Sequence, residues 1–80
     1  MEMVIHPHAW ERMQERGVTE AEVRTTIRKG EKSPAKFGRI GFRHNFPFEN
    51  GKFFRTKQVE VYGVEEKRDF IAITVVVKYF

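Results

Sequence analysis

Cysteine is absent from the 80 residues, so neither a disulfide nor a thiolate zinc site is available. The three histidines do not replace it, because they lack a regular ligand spacing; no metal and no other cofactor is expected. Serine occurs once, at Ser33 directly before Pro34, a poor position for a nucleophile. No apolar run approaches the roughly 18–20 residues that span a bilayer, and the first residues carry no basic-then-apolar leader. A cytoplasmic protein that enters no membrane is expected. Glycine-rich phosphate loops, paired carboxylates and a nucleophile elbow are missing too. The acidic residues are scattered over prospective helix surfaces and turns.

What the chain does have is aromatic and basic. Eight phenylalanines argue for an ordered core, since disordered chains are poor in aromatics. The length fits one domain over residues 1–80. Such a domain buries only about 60–65% of its unfolded surface, so its core must be economical or shared with a partner. Fifteen Lys and Arg against eleven Asp and Glu give a net charge of +4. That excess permits attraction to polyanions without demanding it.

Met3 to Ile5 reads as a short extended lead-in. Pro7 suits the first turn of a helix whose apolar positions Ala9, Trp10 and Met13 share one side, and Gly17 ends it. Thr19 and Glu22 then have the spacing of a capping box, bracketed by Val18 and Val23 as a hydrophobic staple. A second helix is predicted from about Glu20 to Lys29, ending at Gly30, and the Ser33-Pro34 step is read as a break. Beyond it the character changes to strand, with Phe37, Ile40 and Phe42 as the apolar members of "FGRIGF". Asn50-Gly51 is a hairpin signal. "TKQVEVYG" alternates, placing Thr56, Gln58, Glu60 and Tyr62 on one side and Lys57, Val59 and Val61 on the other. The terminal "FIAITVVVKYF" shows little alternation, which predicts a strand covered on both faces over most of its length. Along it, Thr74 and Lys78 are expected to share a face with Ala72 and Val76. The order predicts an α+β domain: two N-terminal helices packed on one face of a three- or four-stranded antiparallel sheet.

His8, Arg12 and Arg16 are spaced four apart and border the apolar stripe of the first helix rather than opposing it. In the structural reading Arg12 pairs with Glu15 or Glu11, and Arg16 reaches a carbonyl or carboxylate near Gly17. In the functional reading the guanidinium forks grip a phosphate, and a histidine one turn away moves a proton near neutral pH. Lys57 shares a strand side with Val59 and Val61. It either marks the sheet margin or meets the arginine stripe to form an anion pocket. In "GFRHNFPF" the phenylalanines Phe42, Phe46 and Phe48 fall at even spacing and suit a core face. Arg43, His44 and Asn45 are then left as the members that could hold a nucleic-acid strand, with Lys78 from the last strand.

"HAWERMQERGVTEAEV", Gly30-Glu31, "GFRHNFPF", "KQVEVY" and "ITVVVKYF" together resemble a family of small prokaryotic domains of unknown function, DUF 4258. The resemblance runs over nearly the whole chain. It implies two helices followed by an antiparallel sheet, an arrangement similar to the ribonuclease toxins of the RelE and BrnT type in the barnase-like group. The family's polar positions fall on His8, Arg12, Arg16, Arg43 and Lys57, with Thr74 and Tyr79 in the terminal motif.

Two readings follow. In the first, the protein is a metal-independent endoribonuclease: Arg12, Arg16 and Lys57 hold the scissile phosphate, and His8 or His44 acts as general acid or base. In the second, it is a non-catalytic module that binds RNA, a protein partner of the antitoxin kind or a second copy of itself, through a sheet edge or the exposed sheet face. Geometry separates them. Convergence of His8, Arg12, Arg16 and Lys57 on one open point favours a phosphate site, and cations already held by partners favour a scaffold.

Overall fold

The first helix starts where proline can be tolerated. Pro7 opens helix α1 (Pro7–Arg16), the His6 side chain accepts a hydrogen bond from the His8 N–H at 3.1 Å, and Gly17 closes the helix at φ 67°. Helix α2 (Glu20–Lys29) begins with the full capping box: the Thr19 hydroxyl accepts from the Glu22 N–H at 3.1 Å, and the Glu22 carboxylate accepts from the Thr19 N–H at 3.0 Å. A cap of this kind contributes about 1 kcal/mol. Ala9 and Met13 of α1, and Val23, Thr26 and Ile27 of α2, are buried.

This computed structural model describes residues 2–48 and 53–80; the expected Asn50-Gly51 turn lies outside the described residues. The strands are β1 (Met3–Ile5), β2 (Glu31–Pro34), β3 (Ile40–Pro47), β4 (Thr56–Glu66) and β5 (Asp69–Tyr79), in the order β1-β5-β4-β3-β2. The chain is α+β, but its sheet has five strands and is mixed, because β1 runs parallel to β5 while the other pairs are antiparallel. This corrects the expectation of three or four antiparallel strands, and each added strand was hidden for its own reason. The three residues of β1 are too few to show a period, and their partner lies in the last strand. The four residues of β2 include no large apolar side chain and are all exposed. Charge and proline on an edge strand discourage further pairing. They also disguise it as a loop.

Both helices lie on one face of the sheet, α1 over β5 and α2 over β3 and β4. Their apolar stripes meet Phe42, Val59, Val61, Phe70, Ala72 and Val75 in one core. Phe42 and Phe70 pack edge to face at 5.1 Å, worth about 0.5–1.5 kcal/mol beyond simple burial. Among the described residues no element covers the opposite face, which corrects the reading of β5 as enclosed on both sides. A register shift in the β4–β5 pairing adds a second correction. Tyr62 pairs with Thr74 whereas Gly63 pairs with Ala72, so Ile73 is an extra residue. The bulge turns Ala72 into the core and leaves Thr74, Val76 and Lys78 facing the other way.

Candidate functional site

On the helix-covered side, the cations singled out in the sequence are already engaged. Arg12 forms an exposed ion pair with Glu15 at 3.0 Å, one helical turn away. Arg16 donates to the Val75 carbonyl. That carbonyl lies beyond the reach of β1, which pairs only with Phe70 to Ala72, so the guanidinium caps backbone that lacks a neighbouring strand. Lys57 is only 9% exposed. Its ammonium donates to the Gly17 carbonyl at 2.6 Å and to Glu22 at 3.0 Å. His8 is exposed at the start of α1. Arg16 and Lys57 are therefore held within the fold, whereas Arg12 has a surface partner and His8 stays exposed. The physical reason is that the helix junction and the β5 edge supply acceptors of their own. Within α1 the Arg12–Glu15 pair of the structural reading is present, and the Arg16 acceptor lies on β5 rather than beside Gly17.

Arg43 and His44, adjacent in sequence, point to opposite faces of β3. His44 sits between Phe42 and Phe46 on the helix side, pairs in register with Val59, and lies edge-on to Phe46 at 4.8 Å. Arg43 faces the uncovered side, where its register partner is Glu60. The expected trio of Arg43, His44 and Lys78 is thus split, and only Arg43 and Lys78 share a face.

That uncovered face holds the most unusual group in the molecule. Glu60 is 7% exposed although it lies on the side without helices. One carboxylate oxygen accepts a hydrogen bond from the Tyr62 phenol. The other, Oε2, is buried and accepts no hydrogen bond; the Lys78 ammonium is 3.2 Å away, in a charge contact. Lys78 is 62% exposed, so this contact is made from the solvent side. Arg43 completes the group, held only by an exposed pair with Glu31 at 3.2 Å. Pairs of this kind contribute about 0–1 kcal/mol and exchange readily for a better anion. The Tyr62 phenol is raised above its ordinary value of 10.0, first by the hydrogen bond to Glu60, then by burial and by the Glu60 charge, with Arg43 acting in the opposite sense. The ring itself lies across Gly41, where a Cβ would come within 2.7 Å of it. Only glycine opposite Tyr62 leaves that room.

Beside this group the chain turns from β2 into β3 through residues 35–39. Two backbone bonds close the turn, Ala35 N–H to the Arg39 carbonyl at 2.8 Å and Arg39 N–H to the Lys36 carbonyl at 3.2 Å. Within it Phe37 adopts φ 62° and ψ 34°, a left-handed conformation that costs a non-glycine residue about 1–2 kcal/mol. Its ring is 90% exposed, which corrects the reading of Phe37 as a strand residue. A hollow of about 440 Å³ lies between this turn, Tyr62 and Thr74, and a second of about 170 Å³ reaches Arg43 and Glu60. Ser33 and Tyr62 line both.

A family described as a domain of unknown function, DUF4258, matches residues 5–79. The chain belongs to this family. No curated protein and no solved structure matches it. In this DUF4258 domain, then, sequence reasoning missed Glu60, Tyr62 and Phe37. The alternation of β4 did place Glu60 beside Tyr62 on one side, which was the available signal. Among the described residues no three His, Asp or Glu side chains gather closely enough to hold a metal ion, and no helix is long and apolar enough to cross a membrane.

Proposed function

We propose that this DUF4258 domain acts on RNA through the uncovered face of its sheet, as an endoribonuclease of the toxin type. The observation that carries the reading is Glu60, a buried carboxylate on a face without helices, joined to a phenol and screened by an exposed lysine. An RNA phosphate would draw Lys78 off Oε2 and Arg43 off Glu31. The freed Oε2 then takes the proton of the 2′-hydroxyl, whose oxygen bonds to the adjacent phosphorus as the bond to the 5′-oxygen breaks. Tyr62, kept protonated by its raised pKa, gives its proton to the departing 5′-oxygen. The Glu60 carboxyl, turning about its Cγ–Cδ bond, then hands the proton it took on Oε2 to the Tyr62 phenolate, so both groups end as they began. The products are a 2′,3′-cyclic phosphate and a free 5′-hydroxyl, and no metal enters the scheme. Arg43 and Lys78 hold the non-bridging oxygens as their charge grows. This is also the class of activity that the sequence resemblance implied.

The test is cleavage of a labelled single-stranded RNA in buffer containing a chelator. Ends carrying 2′,3′-cyclic phosphate are expected, and Glu60→Gln should slow their formation about 10²–10⁴-fold, the usual scale of general acid–base catalysis. Intact RNA, or equal cleavage by the Glu60→Gln protein, overturns the reading.

A second reading is favoured by a separate observation. Tyr79 packs at a tilt against Phe48, centroids 4.9 Å apart, and lies 6.1 Å from Phe54, and Phe53 and Phe80 are exposed at the same end of the sheet. An antitoxin-like protein or a second copy of the chain would cover such aromatics. Sedimentation over a range of concentrations tests the second copy, and a mass that stays monomeric excludes it.

A further inference from the structure

We propose that the hollow beneath the β2–β3 turn holds a single unstacked nucleobase, against the rings of Phe37 and Tyr62. The ligand's identity rests on the RNA reading above. The inference deepens it by naming the substrate as a strand with a free base beside the attacked phosphate.

Three observations point there together. Phe37 is kept in a left-handed backbone by a turn closed with two hydrogen bonds, and such strain persists where the surroundings over-determine it, often at binding sites. Its ring is 90% exposed, so folding gains little from a phenylalanine there. Neither local conformation nor burial therefore accounts for the residue, whereas a stacking partner does. The hollow, about 440 Å³, falls within the usual range for small-ligand sites. Its lining also suits a nucleotide: two aromatic rings for the base face, the Ser33 and Thr74 hydroxyls for base edges, and Lys36 and Arg39 for flanking phosphates. Tyr62 belongs to both places, because its ring walls this hollow while its hydroxyl reaches Glu60. A base seated here would set its ribose beside the carboxylate. A base locked in a duplex is stacked and cannot enter, so single strands are the substrate class.

The test is an NMR titration of the whole protein with adenosine, guanosine, cytidine and uridine, which carry no phosphate. At least one should give saturable shifts at the amides of Gly38, Arg39, Gly41, Tyr62 and Thr74. Phe37→Asn, whose side chain tolerates the left-handed turn, should weaken that binding about 5- to 150-fold, the size of one base–aromatic stack. Phe37→Trp should retain it, and Arg12→Ala, on the helix side of the sheet, should leave it unchanged. The proposal fails if no nucleoside shifts those amides, or if Phe37→Asn binds like the parent protein. Its fate is separable from that of the cleavage reading. Nucleoside binding without RNA cleavage keeps the pocket and removes the nuclease, and cleavage without nucleoside binding does the reverse.

Discussion

Phe37 carries a cost that its surroundings do not return. Its left-handed backbone disfavours a Cβ, and its ring lies in solvent. Phe37→Asn should therefore stabilise the protein, by about 1 kcal/mol. That corresponds to a rise of roughly 4–8 °C in Tm for a domain of this size. Thermal unfolding followed by circular dichroism checks it, and a lower Tm would mean that the ring supports the fold. Tyr62 supplies a second test. Its pKa is raised in the folded state, so the folded protein binds that proton more tightly than the unfolded chain. The contribution is complete below the ordinary value of 10.0 and is lost as pH rises through the higher folded value. Urea unfolding between about pH 9 and 11 should show the parent losing more stability than Tyr62→Phe, and parallel curves would refute the linkage. At this scale the sequence was only partly legible. The alternation of β4 put Glu60 and Tyr62 together, but nothing local reported that their side is uncovered. Nor did it report that Phe37 has a positive φ.

Between elements, Lys57 joins β4 to the corner between the helices. It reaches the Gly17 carbonyl, which ends α1, and Glu22, which caps α2. One buried ammonium thus secures both helices to the sheet. Removing one member of a fully buried pair costs about 3–5 kcal/mol. Glu22 is partly exposed and keeps its bond to Thr19. Lys57→Met should therefore cost about 2 kcal/mol, read by urea unfolding. A loss below about 0.5 kcal/mol would make the contact no more than a surface pair. The helices themselves were legible almost to the residue, because their signals are local: Pro7 at the first turn, the Thr19–Glu22 box, Gly17 and Gly30 at the ends. Strand β2 was not legible, since a polar edge segment carries no apolar period. Arg16 was read as bordering the stripe, yet its acceptor on β5 is decided by where β1 ends.

Across the whole molecule, where the net charge is +4, the cations on the two faces of the sheet are held differently. On the helix side Arg16 and Lys57 are tied into the scaffold and Arg12 pairs at the surface with Glu15, while Arg43 and Lys78 stand on the uncovered face in exposed pairs. Measured against a short single-stranded RNA, the slope of log affinity on log salt should fall by about 0.7 for each of Arg43→Ala and Lys78→Ala. Arg12→Ala should leave the slope unchanged. Equal effects at all three positions would mean diffuse attraction with no preferred face. The sequence by itself determined the α+β class, both helices with their caps, and the two-sided alternation of β4, because each is written in neighbours a few residues apart. Only the tertiary structure decided that the sheet has five strands, which face stays open, and that Arg43, Glu60, Tyr62 and Lys78 meet on it beside Phe37. Those outcomes depend on strand register and on one extra residue in β5, which are set by packing between distant segments.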